Sequence, residues 1–439
     1  MISFCKKLWR DKRGNALIIA AAALPLVLGS AGLASDTIQW ALWKRQLQRA
    51  ADSAAIAGVY GKVQGQGVTD AVNHDLSYNS HISYTTTNVI ANPPTSGAYT
   101  ADTMAVNVDL SVQKRLSFSG MFMNFTPTIH ANATATIVPS GEYCVISLEN
   151  TSTTGITATG NADVDLGCGM ITNSTSLTAA VATGSSDVNA SPIAAVGGIP
   201  ASTHWASGTV LMPFTLPQAD PFANINPPAS GTFPAGNCPN LTVNSNQTKT
   251  TFSDPSDYRA MGSGSYCFGN ITIRGTVTFP SNSVIVLDGG SIDFGSQANV
   301  TCSGCTFILT NRDGSSSPTI GNLNINAGAT VNLTAPGTTA TGDALTYKGL
   351  VFYQDRRARD GTSAGQQSQF NGNANSFFQG AVYFPSQQMT FNGTAGMTTN
   401  CLQLVARRVY YSGTMNISNS CPNNSGASSF AGRKVRLVE

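Results

Sequence analysis

Three groups of residues have types that could do chemistry. Cys302-Ser-Gly-Cys305 has the spacing of a redox dithiol. Asp288 and Asp293 flank a Gly-Gly pair, and Asp355, Arg356, Arg357, Arg359 and Asp360 make the densest charged stretch of the second half. Glycoside cleavage needs two such carboxyls held at a defined separation across a sugar. His74, His81 and His130, with Asp70 and Asp75, offer metal donors.

None of the three has the surroundings its chemistry needs. A redox dithiol opens a helix in a βαβ setting, whereas Cys302 and Cys305 interrupt strand-like alternation, so a structural turn disulfide or two separate bridges is expected. Asp288 and Asp293 differ by an odd number of positions, so one regular strand turns them to opposite sides, and no His or Lys stands near them. The arginine-aspartate stretch reads as a solvated turn or a partner contact. The histidine spacings match no compact ligand set. The expectation is a non-enzymatic chain with no catalytic residues, no metal and no cofactor.

Composition says what kind of scaffold holds these residues. A length of 439 residues exceeds one ordinary core and predicts two or three structural units. Only 10% of residues are charged, while Gly, Ser, Thr and Asn abound, which predicts turn-rich β structure with uncharged polar faces. The net charge is +2 and no basic stripe follows the first residues, so nothing points to nucleic acid. Cys5 precedes an apolar segment, and Cys144, Cys168, Cys238, Cys267, Cys302, Cys305, Cys401 and Cys421 follow it. An even set beyond a membrane anchor suits disulfides in an oxidising compartment, with nearest-neighbour pairing as the working expectation.

That apolar segment, residues 14–35, reads GNALIIAAAALPLVLGSAGLAS and carries no charge. At the helical rise it reaches about 33 Å, enough for a bilayer core. Residues 1–13 hold Lys6, Lys7, Arg10, Lys12 and Arg13 against Asp11 alone, which predicts a cytoplasmic N-terminus with the bulk of the chain outside. A cleaved secretory signal with a site after Ala34 is the competing reading. Retention is favoured because the helical pattern continues over residues 36–61. There Trp43, Leu47, Ala50, Ala54 and Ala57 recur at spacings of four and three along one face. So small a stripe is a weak core but lets another backbone come close, either this chain's own soluble part or a partner subunit. Gly58 and Gly61 are expected to end the helix.

The ordered series Arg13-Gly14, Ala22, Leu24-Pro25-Leu26, Gly32-Leu33, Asp36 and LQRAADSAAIAG (Leu47 to Gly58) resembles the TadG-like proteins of tight-adherence (Tad, Flp) pilus assembly. The resemblance implies an inner-membrane, single-pass protein with a large periplasmic or surface-exposed portion, working with pilus-assembly platform proteins, pilins or pseudopilins in adhesion or biofilm formation. It also implies that Asp36 and the small-residue seam take part in helix packing or partner contact. Pilins of such systems carry a glutamate at the fifth residue after the processing glycine; here that position is Ile19, so prepilin processing is not expected.

Residues 62–140 read as a small α+β or β unit, similar to the soluble part of Tad pseudopilins. DAVNHDLSYNSHI suits a helix, and MAVNVDLSV and TIHANATATIV alternate as half-buried strands. SFSGMFMNFTP between them is expected to fill the core, with an exposed tip touching lipid or a partner as the other reading. From 141 to 430 short alternating runs end in Gly, Asn or Ser and resume, which predicts a parallel β-helix or other β-solenoid, with a sandwich or jelly roll as the alternative. Asn322, Asn324 and Asn326 alternating with Leu323 and Ile325 suit turn-side ladders. Near 180–256 a Pro/Ser/Thr-rich excursion interrupts the pattern, and 431–439 reads as a tail. The rival to a pilus role is a carbohydrate-binding adhesin on the same scaffold, taking a surface glycan, with a glycan-cleaving enzyme as the third reading.

Overall fold

The computed structural model describes residues 13–78, 87–254, 256–262, 264–360, 367–371, 376–393, 397–399, 401–417, 421–427 and 429–439. Cys5, the basic residues before Arg13, and His81 lie outside the described residues. The chain is mainly β, with one long apolar helix near its N-terminus and a large mixed sheet. It divides into two units, residues 1–138 with 434–439, and residues 139–433.

The first unit is built on helix α1 (Arg13–Val63), followed by α2 (Val68–Tyr78), β1 (Thr87–Ala91), β2 (Val106–Gln113) and β3 (Thr128–Ser147). β2 lies antiparallel to both β1 and β3. Val106, Val108, Leu110 and Val112 of β2, with Ile129, Ala131, Ala133 and Ala135 of β3, are buried in one cluster with α1. Alternation of these residues puts them on one face of the sheet.

Contrary to expectation, α1 does not stop at Gly58 or Gly61 but runs on to Val63. Both glycines are sites of close approach. A Cβ at Gly58 would stand 2.8 Å from Val106 Cγ1 and 2.9 Å from Val72 Cγ2, and one at Gly61 would collide with Ala71 Cβ. The chain turns only at Gly65, whose φ of +74° suits a residue without a Cβ. The final residues are not a free tail. Phe430–Leu437 is a strand, and beyond it Thr134 of β3 donates its N–H to Glu439 O at 2.7 Å and accepts from Val438 N–H at 2.9 Å.

The connection from β2 to β3 also departs from its expected place in the core. Met121, Phe122 and Phe125 are 75%, 74% and 64% exposed. The space under the sheet is taken by alanines and valines, so no room is left for these side chains. The connection lies instead along α1, where Pro25, Leu28, Gly29 and Leu33 line a shallow groove with Phe118, Phe122 and Met123.

In the second unit, parallel pairing dominates. One ladder runs Ser265–Phe268, Val284–Asp288, Thr306–Thr310, Leu350–Gln354, then through Phe377–Asn392 and Cys401–Tyr411 to the end of β3, Gly169–Thr172, Ile193–Ala195 and Leu211–Met212. A second runs Leu241–Val243, Ile271–Ile273, Ile292–Phe294, Leu323–Ile325 and Ser368–Asn371, and again through the two long strands, to Ile156–Ala158 and Ala180–Ala182. A third begins Thr248–Lys249, Thr276–Thr278, Asn299–Cys302 and Thr330–Thr334. Because successive rungs are in register, like side chains stack. Phe352 follows Phe307 at 5.5 Å, and Phe370, Phe391 and Tyr411 follow one another at 5.3 and 5.5 Å.

The order in space is not the order in the chain. Cys401–Tyr411, the last long strand of this unit, pairs with β3 and Ile156–Ala158, among its first. The chain leaves the ladders after Leu211–Met212 at one end and resumes with Leu241–Val243 at the other. Residues 180–195 thus hold ladder strands, and the proline-rich stretch 213–240 lies outside the ladders. It covers the outward side of the first ladder: Phe222, Ile225 and Phe233 pack on a cluster that includes Val286, Ile308, Tyr353, Tyr383 and Val405. Both faces of strands such as TFILT and LVFYQ are buried, which explains the absence of an apolar/polar alternation in them.

Candidate functional site

The helix stripe is consumed inside the first unit. Trp43, Leu47, Ala50 and Ala54 are buried, with Ala51, Ala55 and Val59, against β2 and β3. Ala57 is half-buried and lies outside that cluster. Of the two packing arrangements expected of this seam, its buried members make the one with the chain's own soluble part. Small side chains meet alanines of β3, and the close approach they allow is between α1 and the chain's own sheet. Polar ties flank the seam: Gln48 Nε2 donates to Asn132 O at 2.8 Å, Lys44 Nζ donates to His130 O, and Ser53 Oγ donates to Asp75 Oδ1 at 3.0 Å.

Asp36 is likewise engaged within the unit. It is 4% exposed, and its carboxylate accepts the N–H of Phe118 at 3.0 Å and the N–H of Ser119. Phe118 in turn lies against Gly32, where any Cβ would strike its ring. Asp36 and Gly32 thus hold the β2–β3 connection to the helix. N-terminal to this clamp α1 is apolar and uncovered: Ile19, Leu24, Leu26, Val27, Leu28 and Leu33 are all exposed. Ile38, Trp40 and Leu42 are exposed just beyond it. Ile19–Val63 is a helix long and apolar enough to cross a membrane.

The carboxylates weighed for catalysis each meet an arginine. Asp288 pairs with Arg312, Asp293 with Arg274 at 3.3 Å, Asp355 with Arg357 at 2.7 Å, and Asp360 with Arg407 at 3.3 Å and with Arg408. Burial opposes the charge on Asp355, but bonds from Arg357 and Thr310 hold its carboxyl below the usual range. Arg359 lines a shallow polar groove with Ser291, Asn322 and Gln387. Of the histidine set, His74 and Asp70 are exposed, and His130 approaches Asp109 at 3.9 Å. Among the described residues one cluster has metal-type donors, Cys238, Cys267 and Asp288. Its sulfurs are joined in a disulfide and its carboxylate is bonded to Arg312, so it does not fit a metal ion.

Disulfides join Cys144 to Cys168, Cys238 to Cys267, Cys302 to Cys305 and Cys401 to Cys421. Cys238–Cys267 fixes the end of the proline-rich stretch. Side chains that the sequence did not single out hold the rest of it. Tyr347 and Tyr353 donate their hydroxyls to Asn226 O at 3.0 Å and Ile225 O at 2.9 Å, and Tyr383 donates to Asp220 at 2.7 Å. Arg356 donates to Ile225 O at 2.8 Å and to Phe222 O. Burial pushes the Tyr353 hydroxyl up to about 12, so it remains a donor at any physiological pH. The signal was present in LVFYQDR, where Tyr353 lies near the end of a strand buried on both faces and Arg356 stands two residues beyond it.

Residues 14–62 match the Tad family model, described as "Putative Flp pilus-assembly TadE/G-like". No curated protein and no solved structure matches the chain. The matched residues are nearly coextensive with α1, and this similarity to the TadE/G-like family, confined to the N-terminal segment, supports a pilus-related function.

Proposed function

We propose that the protein is a non-enzymatic, single-pass membrane component of Tad/Flp-type pilus assembly, supporting adhesion or biofilm formation. The observation that carries this reading is the coincidence of the Tad match with α1, a helix bare and apolar in its first half and packed on a soluble unit in its second. The basic residues before Arg13 favour a cytoplasmic N-terminus, and four disulfides suit an oxidising compartment for the rest. The bonding of Asp288, Asp293, Asp355 and Asp360 to arginines favours structural duty over catalysis.

The three parallel ladders are best read as faces of a β-solenoid. Its parallel, in-register rungs are unlike the antiparallel pairing of sandwiches. In this reading the first unit seats the helix among platform proteins or pseudopilins, and the solenoid is the portion presented to the periplasm or surface. Deleting the gene and counting pili by negative-stain microscopy tests the proposal. Loss of pili and of surface attachment, restored by the full-length gene, is the expected result; unchanged piliation overturns it.

A carbohydrate-binding role is the second reading, favoured by the polar groove of Ser291, Asn322, Arg359 and Gln387. Binding of the detergent-solubilised chain on a glycan array, lost in Arg359→Ala, would support it.

A further inference from the structure

We propose that the β2–β3 connection dips into the bilayer beside α1, so that the protein holds the outer leaflet with a loop as well as a helix. The inference rests on the reading of α1 as a membrane span. Phe118 lies on Gly32, and Phe122 and Met123 share a groove with Pro25 and Leu28. From Asp36 back to Pro25 is eleven residues, about 16 Å along a helix axis. That is half the thickness of a hydrocarbon core. If residues 14–35 span the membrane, a loop seated against Leu28 and Pro25 is at the depth of the acyl chains.

The loop is chemically prepared for that depth. Its outward side chains, Met121, Phe122 and Phe125, are large, apolar and exposed, and they continue the apolar surface of Leu24, Leu28 and Leu33. Irregular backbone is costly in lipid because its N–H groups find no water. Here six successive N–H groups are satisfied within the unit. Those of Phe118 and Ser119 go to Asp36. Those of Gly120, Met121, Phe122 and Met123 go to the carbonyls of Leu116, Phe118, Ser119 and Ser119 at 2.9–3.2 Å. Arg115 Nε covers Gly120 O at 2.7 Å. Lys114 and Arg115 stand at the base of the loop, at the level suited to lipid phosphates, and exposed Trp40 lies on the helix just past Asp36, where an indole suits the interface.

The test is spin-label accessibility in the full chain, reconstituted in phosphatidylcholine–phosphatidylglycerol vesicles. Cys5→Ser leaves only the eight cysteines of the four disulfides, and single labels are placed through Leu28→Cys, Val89→Cys, Phe122→Cys and Phe125→Cys, all at exposed positions. Labels at 28, 122 and 125 are expected to be reached several-fold better by oxygen than by a water-soluble nickel chelate, with the reverse at 89. Nickel access at 122 and 125 with position 28 still lipid-like overturns the loop inference and leaves the anchor standing. Low access of both reagents at 122 and 125 means that protein covers the loop, and also overturns it. Nickel access at 28 removes the anchor and the inference together.

Discussion

The carboxylate of Glu149 lies 2.6 Å from Nη1 of Arg408, a residue 259 positions later. Glu149 is fully buried at the end of β3, and Arg407 meets it as well, at 2.9 Å. The two arginines also hold Asp360. This four-membered group sits where Cys401–Tyr411 pairs with β3, so it fastens the last long strand of the unit to one of its first.

Burial opposes the charge on Glu149, yet Arg407, Thr151 and Arg408 hold its carboxyl down at about 2, against an ordinary value of 4.5. A depressed carboxylate contributes stability that is present above 4.5 and lost as pH falls through 2. The second unit should therefore lose about 3 kcal/mol over that interval from this residue alone. Glu149→Gln should lower its stability by a similar amount near neutrality and flatten its pH dependence between 4.5 and 2. Denaturant unfolding at a series of pH values measures both, and a variant with an unchanged acid limb would count against the assignment.

The proline-rich stretch over the first ladder should open when Arg356 is removed. Arg356 donates to Ile225 O and Phe222 O and stands 3.6 Å from Asp220, so Arg356→Ala strips several ties at once. Faster hydrogen exchange over residues 218–228, at a cost of about 1–3 kcal/mol, is expected. Tyr353→Phe should do less, because Arg356 still donates to the Ile225 carbonyl. Equal exchange in Arg356→Ala and the parent chain would show that the apolar contacts of Phe222 and Ile225 suffice.

Much of this fold could be read from residue spacing. Trp43, Leu47, Ala50 and Ala54 marked a helix face, and short alternating runs ending in Gly or Asn marked the rungs. Leu323 and Ile325 are indeed buried, with Asn324 reaching Asp293 on the next rung at 2.8 Å. What the helix face packs against was not legible, because a small-residue stripe fits its own sheet and a foreign backbone equally well. Nor was the covering stretch: prolines announce that a segment cannot join a ladder interior, not that it lies upon one. Gly58 and Gly61 misled for a related reason, since a glycine needed for close approach reads like one that ends a helix.

Gly61→Ala should destabilise the first unit, because the new methyl meets Ala71 Cβ on the facing helix α2. Overpacking of this kind costs about 1–3 kcal/mol. Ala54→Leu should act in the same way, through the core shared with β2 and β3. Thermal unfolding of the full chain in detergent measures both. A seam that served a second subunit would give the opposite pattern for Ala54→Leu, with unchanged unfolding and lost association.

Asp36 offers the sharpest separation between an internal and an external role. Its two oxygens serve the N–H groups of Phe118 and Ser119, so Asp36→Ala takes from both donors the acceptor they have here. The connection around Phe118 should then detach from Gly32, and amide exchange over residues 117–123 should rise by an order of magnitude or more, equivalent to about 1–2 kcal/mol. Asp36→Asn keeps one acceptor and should fall between the two. If instead the acidic group is there to meet another membrane helix, exchange in the loop will match the parent chain while assembly fails. The loop amides and the assembly readout thus respond oppositely to the two roles, and a single variant decides between them.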